Sequence, residues 1–143
     1  MLLYDFGSKE QLVDEVLAEI RSRLAELLAE LQAGPGMDSA ETLVAVWNWV
    51  SADERRPFMR VFFETYVDAL ARPETHAKRG TPMVGDWLAF LGSRWRPKAL
   101  EPATATLYVA VIRGLLLDRL LAGDPERTDQ AMRRFTELLG SSS

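Results

Sequence analysis

Apolar residues recur at steps of three and four positions along most of the chain, which is the spacing of helices that bury one face. The first such run covers residues 9–32 and predicts a long helix whose opposite face is acidic. Ser8 followed three positions later by Gln11 predicts a capping box at the start of that helix. No stretch alternates between apolar and polar residues for long enough to predict a strand. The pattern therefore predicts an all-α fold.

Glycine and proline residues separate the apolar runs and predict about six helices in all. Asp38 or Ser39 is expected to cap the second helix, and Pro57 is tolerated in the first turn of the third. Thr81 followed by Pro82 predicts the start of a fourth helix. The fifth and sixth helices meet at a glycine-aspartate-proline turn, which is short enough to make them antiparallel neighbours.

The fifth helix, residues 103–122, is apolar on almost every side. Its charged residues Arg113, Asp118 and Arg119 argue against a membrane span, because a charge in lipid is costly. We expect the chain itself to bury one side and a partner to bury the other, since an exposed patch this apolar marks an interaction site. Gly114 costs about 1 kcal/mol relative to alanine. Gly114 indicates either a close crossing of two helices or a position where the missing side chain has no structural role.

We expect the partner to be a second copy of the chain. Residues 103–122 and 125–139 of each copy would then form a four-helix bundle about a two-fold axis. The residues predicted to build this homodimer interface are Val109, Gly114, Leu117, Leu120, Leu121, Met132, Phe135 and Leu139.

Aromatic residues lie on the predicted inward faces of four successive helices. The set predicted to line an apolar pocket is Trp47, Phe62, Tyr66, Trp87 and Tyr108. The two tyrosine hydroxyls could orient a small apolar or aromatic molecule by hydrogen bonds. Plain core packing is the alternative interpretation of the same residues, and the sequence leaves both open.

Composition narrows the function classes. The 143 residues suffice for one domain with its own core. The net charge of −4 argues against electrostatic binding of nucleic acid or anionic membrane by the whole surface. With no cysteine and one histidine, His76, the sequence predicts no metal site, no cofactor and no catalytic residues. The N-terminus lacks a secretory signal pattern. We expect a cytoplasmic protein that is not an enzyme.

The segment LLYDFGSKEQL, residues 2–12, resembles the junction that follows the DNA-recognition helix in the TetR family of transcriptional regulators, where the pattern is Leu-Tyr-x-His-Phe-x-Ser-Lys-Glu-x-Leu. The later helix order, with DWL at residues 86–88 and GLLLD at 114–118, resembles the family's C-terminal helical domain. The resemblance implies three parts. Residues 1–7 would be a remnant of the recognition helix and junction, 8–140 an effector-binding and dimerisation domain, and 141–143 a tail.

The resemblance implies a repressor in which a small-molecule effector enters a pocket among the helices, shifts the long helix and releases operator DNA. Tyr4 and Lys9 match family positions that hold DNA, whereas Leu3 and Asp5 replace an aromatic residue and a histidine. The family's first two helices have no counterpart before Met1. We therefore expect operator binding only where a helix-turn-helix is present. The alternative is a headless dimeric scaffold or partner-binding protein without a ligand.

Overall fold

The computed structural model describes residues 6–33, 38–74 and 100–141, and these ranges contain helices and no strand. The α-helices are α1 (Phe6–Ala33), α2 (Ser39–Ser51), α3 (Arg56–Ala71), α4 (Pro102–Ala122) and α5 (Pro125–Ser141), with a 3₁₀ turn at Asp53–Arg55. The all-α prediction is confirmed for this part of the chain. The helix predicted to begin at Thr81 lies outside the described residues.

The predicted start of the long helix is wrong. Because α1 already begins at Phe6, Ser8 and Gln11 lie within the helix and not at its N-cap. A capping box needs a non-helical backbone at its first residue, and a helix that is already running does not provide one. The helix also continues across the boundary predicted between residues 7 and 8.

The caps predicted at Asp38, Gly123 and Asp124 are confirmed. Asp38 is the N-cap of α2, and its Oδ1 accepts a hydrogen bond from the Glu41 backbone N–H at 2.8 Å. Gly123 ends α4 at φ 67°, a left-handed conformation that glycine adopts without strain, and its N–H donates to the Arg119 carbonyl. Asp124 then accepts from the Arg127 backbone N–H at 3.2 Å, so α5 starts at once.

The core lies where α1, α2 and α4 meet, with α3 and α5 packed against it. Its buried apolar residues are Leu17, Ile20, Leu24, Leu28, Leu43, Val46, Trp47, Val50, Met59, Tyr108, Val109, Ile112, Leu116 and Met132. For the second helix, the apolar spacing predicts an inward stripe of Leu43, Val46, Trp47 and Val50. The stripe is confirmed, since all four residues belong to this set.

The sequence predicts a broad inward stripe for the third helix, which comprises Phe58, Met59, Phe62, Phe63, Tyr66, Val67 and Leu70. This stripe is too wide. Only Met59 and Thr65 of α3 are buried, whereas Phe58, Val67 and Leu70 are largely exposed. A helix on the surface of a domain turns only part of its circumference to the core, and these apolar residues extend beyond that part.

Helix α4 has two apolar faces, as the sequence predicted. One face is buried and comprises Ala105, Tyr108, Val109, Ile112 and Leu116. The other is exposed and comprises Ala103, Leu107, Ala110, Gly114, Leu117 and Leu121, which we call the α4 stripe. Within the described ranges, no helix combines the length and apolar character that a membrane crossing requires.

Candidate functional site

A cavity of about 60 Å³ lies among α1, α2, α3 and α4. This volume exceeds the about 10–15 Å³ that a cavity needs to hold one water molecule and is smaller than the about 150 Å³ of a cavity that holds benzene. The described residues that line it are Ile20, Leu24, Val46, Val50, Met59, Phe62, Tyr66, Val109, Ile112, Arg113 and Leu116. All four helices therefore contribute to one small apolar chamber.

Aromatic contacts shape the α3 side of the cavity. The Phe62 ring meets the Tyr66 ring at a centroid distance of 4.7 Å and an interplanar angle of 67°. Phe63 packs edge-on against Phe62 at 5.5 Å. Such edge-to-face pairs add about 0.5–1.5 kcal/mol beyond burial, so they hold Tyr66 in a defined position at the wall.

Arg113 and Tyr66 form the polar part of the wall. Arg113 Nη1 donates a hydrogen bond to the Tyr66 hydroxyl oxygen at 3.4 Å, and the guanidinium carbon lies 5.5 Å from the ring centroid. Burial raises the pKa of Tyr66 because it disfavours the charged phenolate, while the hydrogen bond from Arg113 and its positive charge act in the opposite direction. The Tyr66 hydroxyl is therefore protonated at neutral pH.

The predicted ligand residues do not all meet at this cavity. Phe62 and Tyr66 line it. Trp47 and Tyr108 are buried elsewhere in the core: Trp47 Nε1 donates to Asp129 Oδ1 at 2.9 Å, and the Tyr108 ring packs edge-on against Phe135. Among the described residues, these two do not line this cavity with Phe62 and Tyr66, and each contacts a partner on α5 instead. Trp87 lies outside the described residues.

Arg113 is the site residue that sequence analysis missed. The sequence presented it only as a charge interrupting an apolar helix. The signal in the sequence was the position of this charge. Arg113 lies at helical spacing from Val109, Ile112 and Leu116, so its side chain is on the same inward side of the helix as theirs. Ile20 and Leu24 belong to the apolar run that predicts the buried face of the long helix, and in the structure they also line the cavity.

The predicted dimer residues divide into three groups. Leu117 and Leu121 are exposed at 41% and 79%, and Gly114 is exposed, with no atom of the described chain within 4 Å of where its Cβ would stand. The assignment of Val109 and Met132 to the interface is corrected by the structure. Their own chain leaves these side chains only 5% and 1% exposed, so almost no area remains for a partner. The remaining three, at the edge of the core, are Leu120, Phe135 and Leu139.

The predicted DNA contacts lie at the start of the chain. The backbone of Lys9 belongs to the first turns of α1. The side chain of Lys9 and the whole of Tyr4 lie outside the described residues.

The raised pKa of Tyr66 predicts a pH dependence of stability. The unfolded chain releases this proton near the ordinary pKa of 10.0, whereas the folded chain retains it to higher pH. The stability contributed by the neutral hydroxyl is therefore present below pH 10 and lost as the pH rises towards the folded pKa. We expect Tyr66→Phe to lose less stability than the wild type above that pH in urea unfolding followed by circular dichroism. Parallel losses in the two proteins would contradict the assignment.

An apolar chamber with one hydroxyl and one guanidinium in its wall can bind a small molecule and orient its polar end. In the described part of the chain, no group of three or more histidine, cysteine, aspartate or glutamate side chains is placed to hold a metal ion. Comparisons with protein-family models, curated proteins and solved structures give no match to this chain.

Proposed function

We propose that the chain is the effector-binding and homodimerisation domain of a TetR-like transcriptional regulator. Such a repressor binds operator DNA through an N-terminal helix-turn-helix and releases it when a small apolar molecule binds. The observation that carries the proposal is that Ile20 and Leu24 place α1 in the wall of the cavity. The segment with the TetR-like junction pattern leads into this same helix.

The position of α1 connects the cavity to the N-terminal end of this helix. At 1.5 Å per residue, Ile20 lies about 21 Å along the axis from Phe6, so a small tilt at the cavity becomes a larger displacement at the N-terminal end. A molecule in the cavity favours whichever placement of α1 it fits better. It shifts the equilibrium only by its difference in affinity for the two placements.

The α4 stripe supports the dimer. Its members are spaced by alternating steps of four and three residues, which is the spacing of a seam between two packed helices. The small residues Ala110 and Gly114 lie at its centre and would allow a close crossing, and a two-fold partner presents the same stripe. A stable interface of this kind buries more than about 1,200 Å² in total.

A dimeric scaffold that binds a protein partner without a ligand is the second candidate. A groove of about 830 Å³ between α3 and α4, lined in part by Val67, Leu117 and Leu121, favours it. The experiment that separates the two candidates is the distance between the two α1 helices of the dimer, measured with and without a molecule in the cavity. The regulator requires that distance to change, and the scaffold does not.

A further inference from the structure

We propose that the cavity binds a small amphipathic monocarboxylate, whose carboxylate is held by Arg113 and Tyr66 and whose apolar tail enters the chamber. The role of this molecule as an effector rests on the proposed function, but its chemical class follows from the cavity alone.

Among the described residues, Arg113 is a half-buried cation without an acidic partner. None of the carboxylates in the described chain lies within ion-pair distance of its guanidinium, although most other arginines on these helices have such a partner. Its hydrogen bond to Tyr66, at 3.4 Å, is long and uses one of five N–H donors. A guanidinium beside an apolar chamber is costly to leave unpaired, and a carboxylate that accepts two parallel hydrogen bonds from it removes that cost.

Tyr66 adds a second donor. Burial keeps its hydroxyl protonated, so the hydroxyl can donate to a carboxylate oxygen instead of competing with it as an anion. Arg113 is the one charged side chain in the described lining. A phosphate monoester would bring a second negative charge that this single cation leaves uncompensated, and a monocarboxylate matches it.

The chamber limits the size of the tail. A methylene group takes up about as much space as a water molecule, about 30 Å³, so the cavity encloses about two carbon atoms of a tail. The remaining lining is aliphatic or aromatic and gains from covering such a tail. Hexanoate serves as the probe because its single charge matches that of Arg113 and part of its tail fills the cavity.

The test is calorimetric titration of the full chain with hexanoate and with hexanamide, which has the same length and no charge. We expect hexanoate to bind at least tenfold more tightly. Arg113→Gln should remove that difference, Arg113→Lys should keep part of it because it keeps the charge, and Tyr66→Phe should reduce it. The matched control is Arg60→Gln, since Arg60 is exposed on α3 and its removal changes the net charge equally.

Equal binding of hexanoate and hexanamide by the wild type overturns the inference without any variant having to fold. An unchanged preference in folded Arg113→Gln also overturns it, and so does the absence of binding by both compounds. Each of these results leaves the proposed function standing if xenon, a smaller neutral probe, still changes the spacing of the α1 helices. An unchanged spacing with a bound probe overturns the proposed function instead.

Discussion

Trp47→Ala is expected to lower the free energy of unfolding by about 3–5 kcal/mol, the range measured when a large buried aromatic side chain is truncated. Trp47 is only 2% exposed, and its indole lies in the core between α2 and α5. Small domains are stable by about 5–15 kcal/mol, so the variant should lose a large fraction of the total. Urea unfolding followed by circular dichroism measures the loss without relying on the removed fluorophore.

Two further variants separate packing from hydrogen bonding at this position. Trp47→Phe keeps most of the volume and loses the bond to Asp129, which still has Arg119 at 3.5 Å, so we expect a smaller loss than for alanine. Trp49→Ala is the matched control, since Trp49 is half-buried and stacks under the Arg55 guanidinium. A loss for Trp47→Ala no larger than that for Trp49→Ala would contradict the full burial of Trp47 in the core.

Leu117→Arg and Leu121→Arg are expected to convert the dimer to monomers. Both leucines lie exposed on the α4 stripe, so the single chain tolerates the change. In the dimer, each substitution places two unpaired charges in the interface, one from each copy of the chain. An unpaired buried charge costs about 3 kcal/mol or more, which raises the dissociation constant of the dimer at least about a hundredfold. Sedimentation velocity at micromolar concentration measures the change.

The matched control for these charges is Leu12→Arg, because Leu12 is 61% exposed on α1, away from the stripe. Leu12→Arg should dimerise like the wild type. A wild type that sediments as a monomer would contradict the dimer, and arginine variants that remain dimeric would place its interface elsewhere.

Gly114→Ala tests the centre of the α4 stripe. We expect it to stabilise the single chain and to weaken the dimer. In the described chain nothing lies within 4 Å of the added methyl, so the single chain should gain up to about 1 kcal/mol from the better helix propensity of alanine. If two α4 helices cross closely at Gly114, the same methyl weakens the dimer. Stabilisation of the fold together with tighter dimerisation would contradict a close crossing.

The sequence predicted the fold where local chemistry decides it. Asp38, Gly123 and Asp124 act within one helical turn of themselves, and the structure confirms the boundaries that they set. The start of α1 could not be predicted in this way. Ser8 and Gln11 satisfy the capping pattern, but the backbone upstream is already helical, and the pattern does not report the conformation of the residue before it.

The cavity was harder to predict than the core. Apolar spacing identifies residues that turn inward, such as Trp47 and Phe62, but it does not say which inward residues touch one another. Trp47 packs towards α5, whereas Phe62 faces α1 and α4. The role of Arg113 depends on which helices surround it, and that arrangement is tertiary. The sequence predicted that α4 has two apolar faces because one helix carries both, but it placed Val109 on the outer face, and the structure buries that residue.

The spacing of the two α1 helices tests the central claim most directly. The chain contains no cysteine, so Gln11→Cys provides one spin label on the exposed side of α1 in each protomer. Pulsed dipolar spectroscopy of the labelled dimer should give one distance that shifts when hexanoate or xenon saturates the cavity. A label at Arg133→Cys, on the exposed side of α5 in the dimer bundle, should show no shift. An α1 distance that stays the same while calorimetry shows the probe bound would contradict the account.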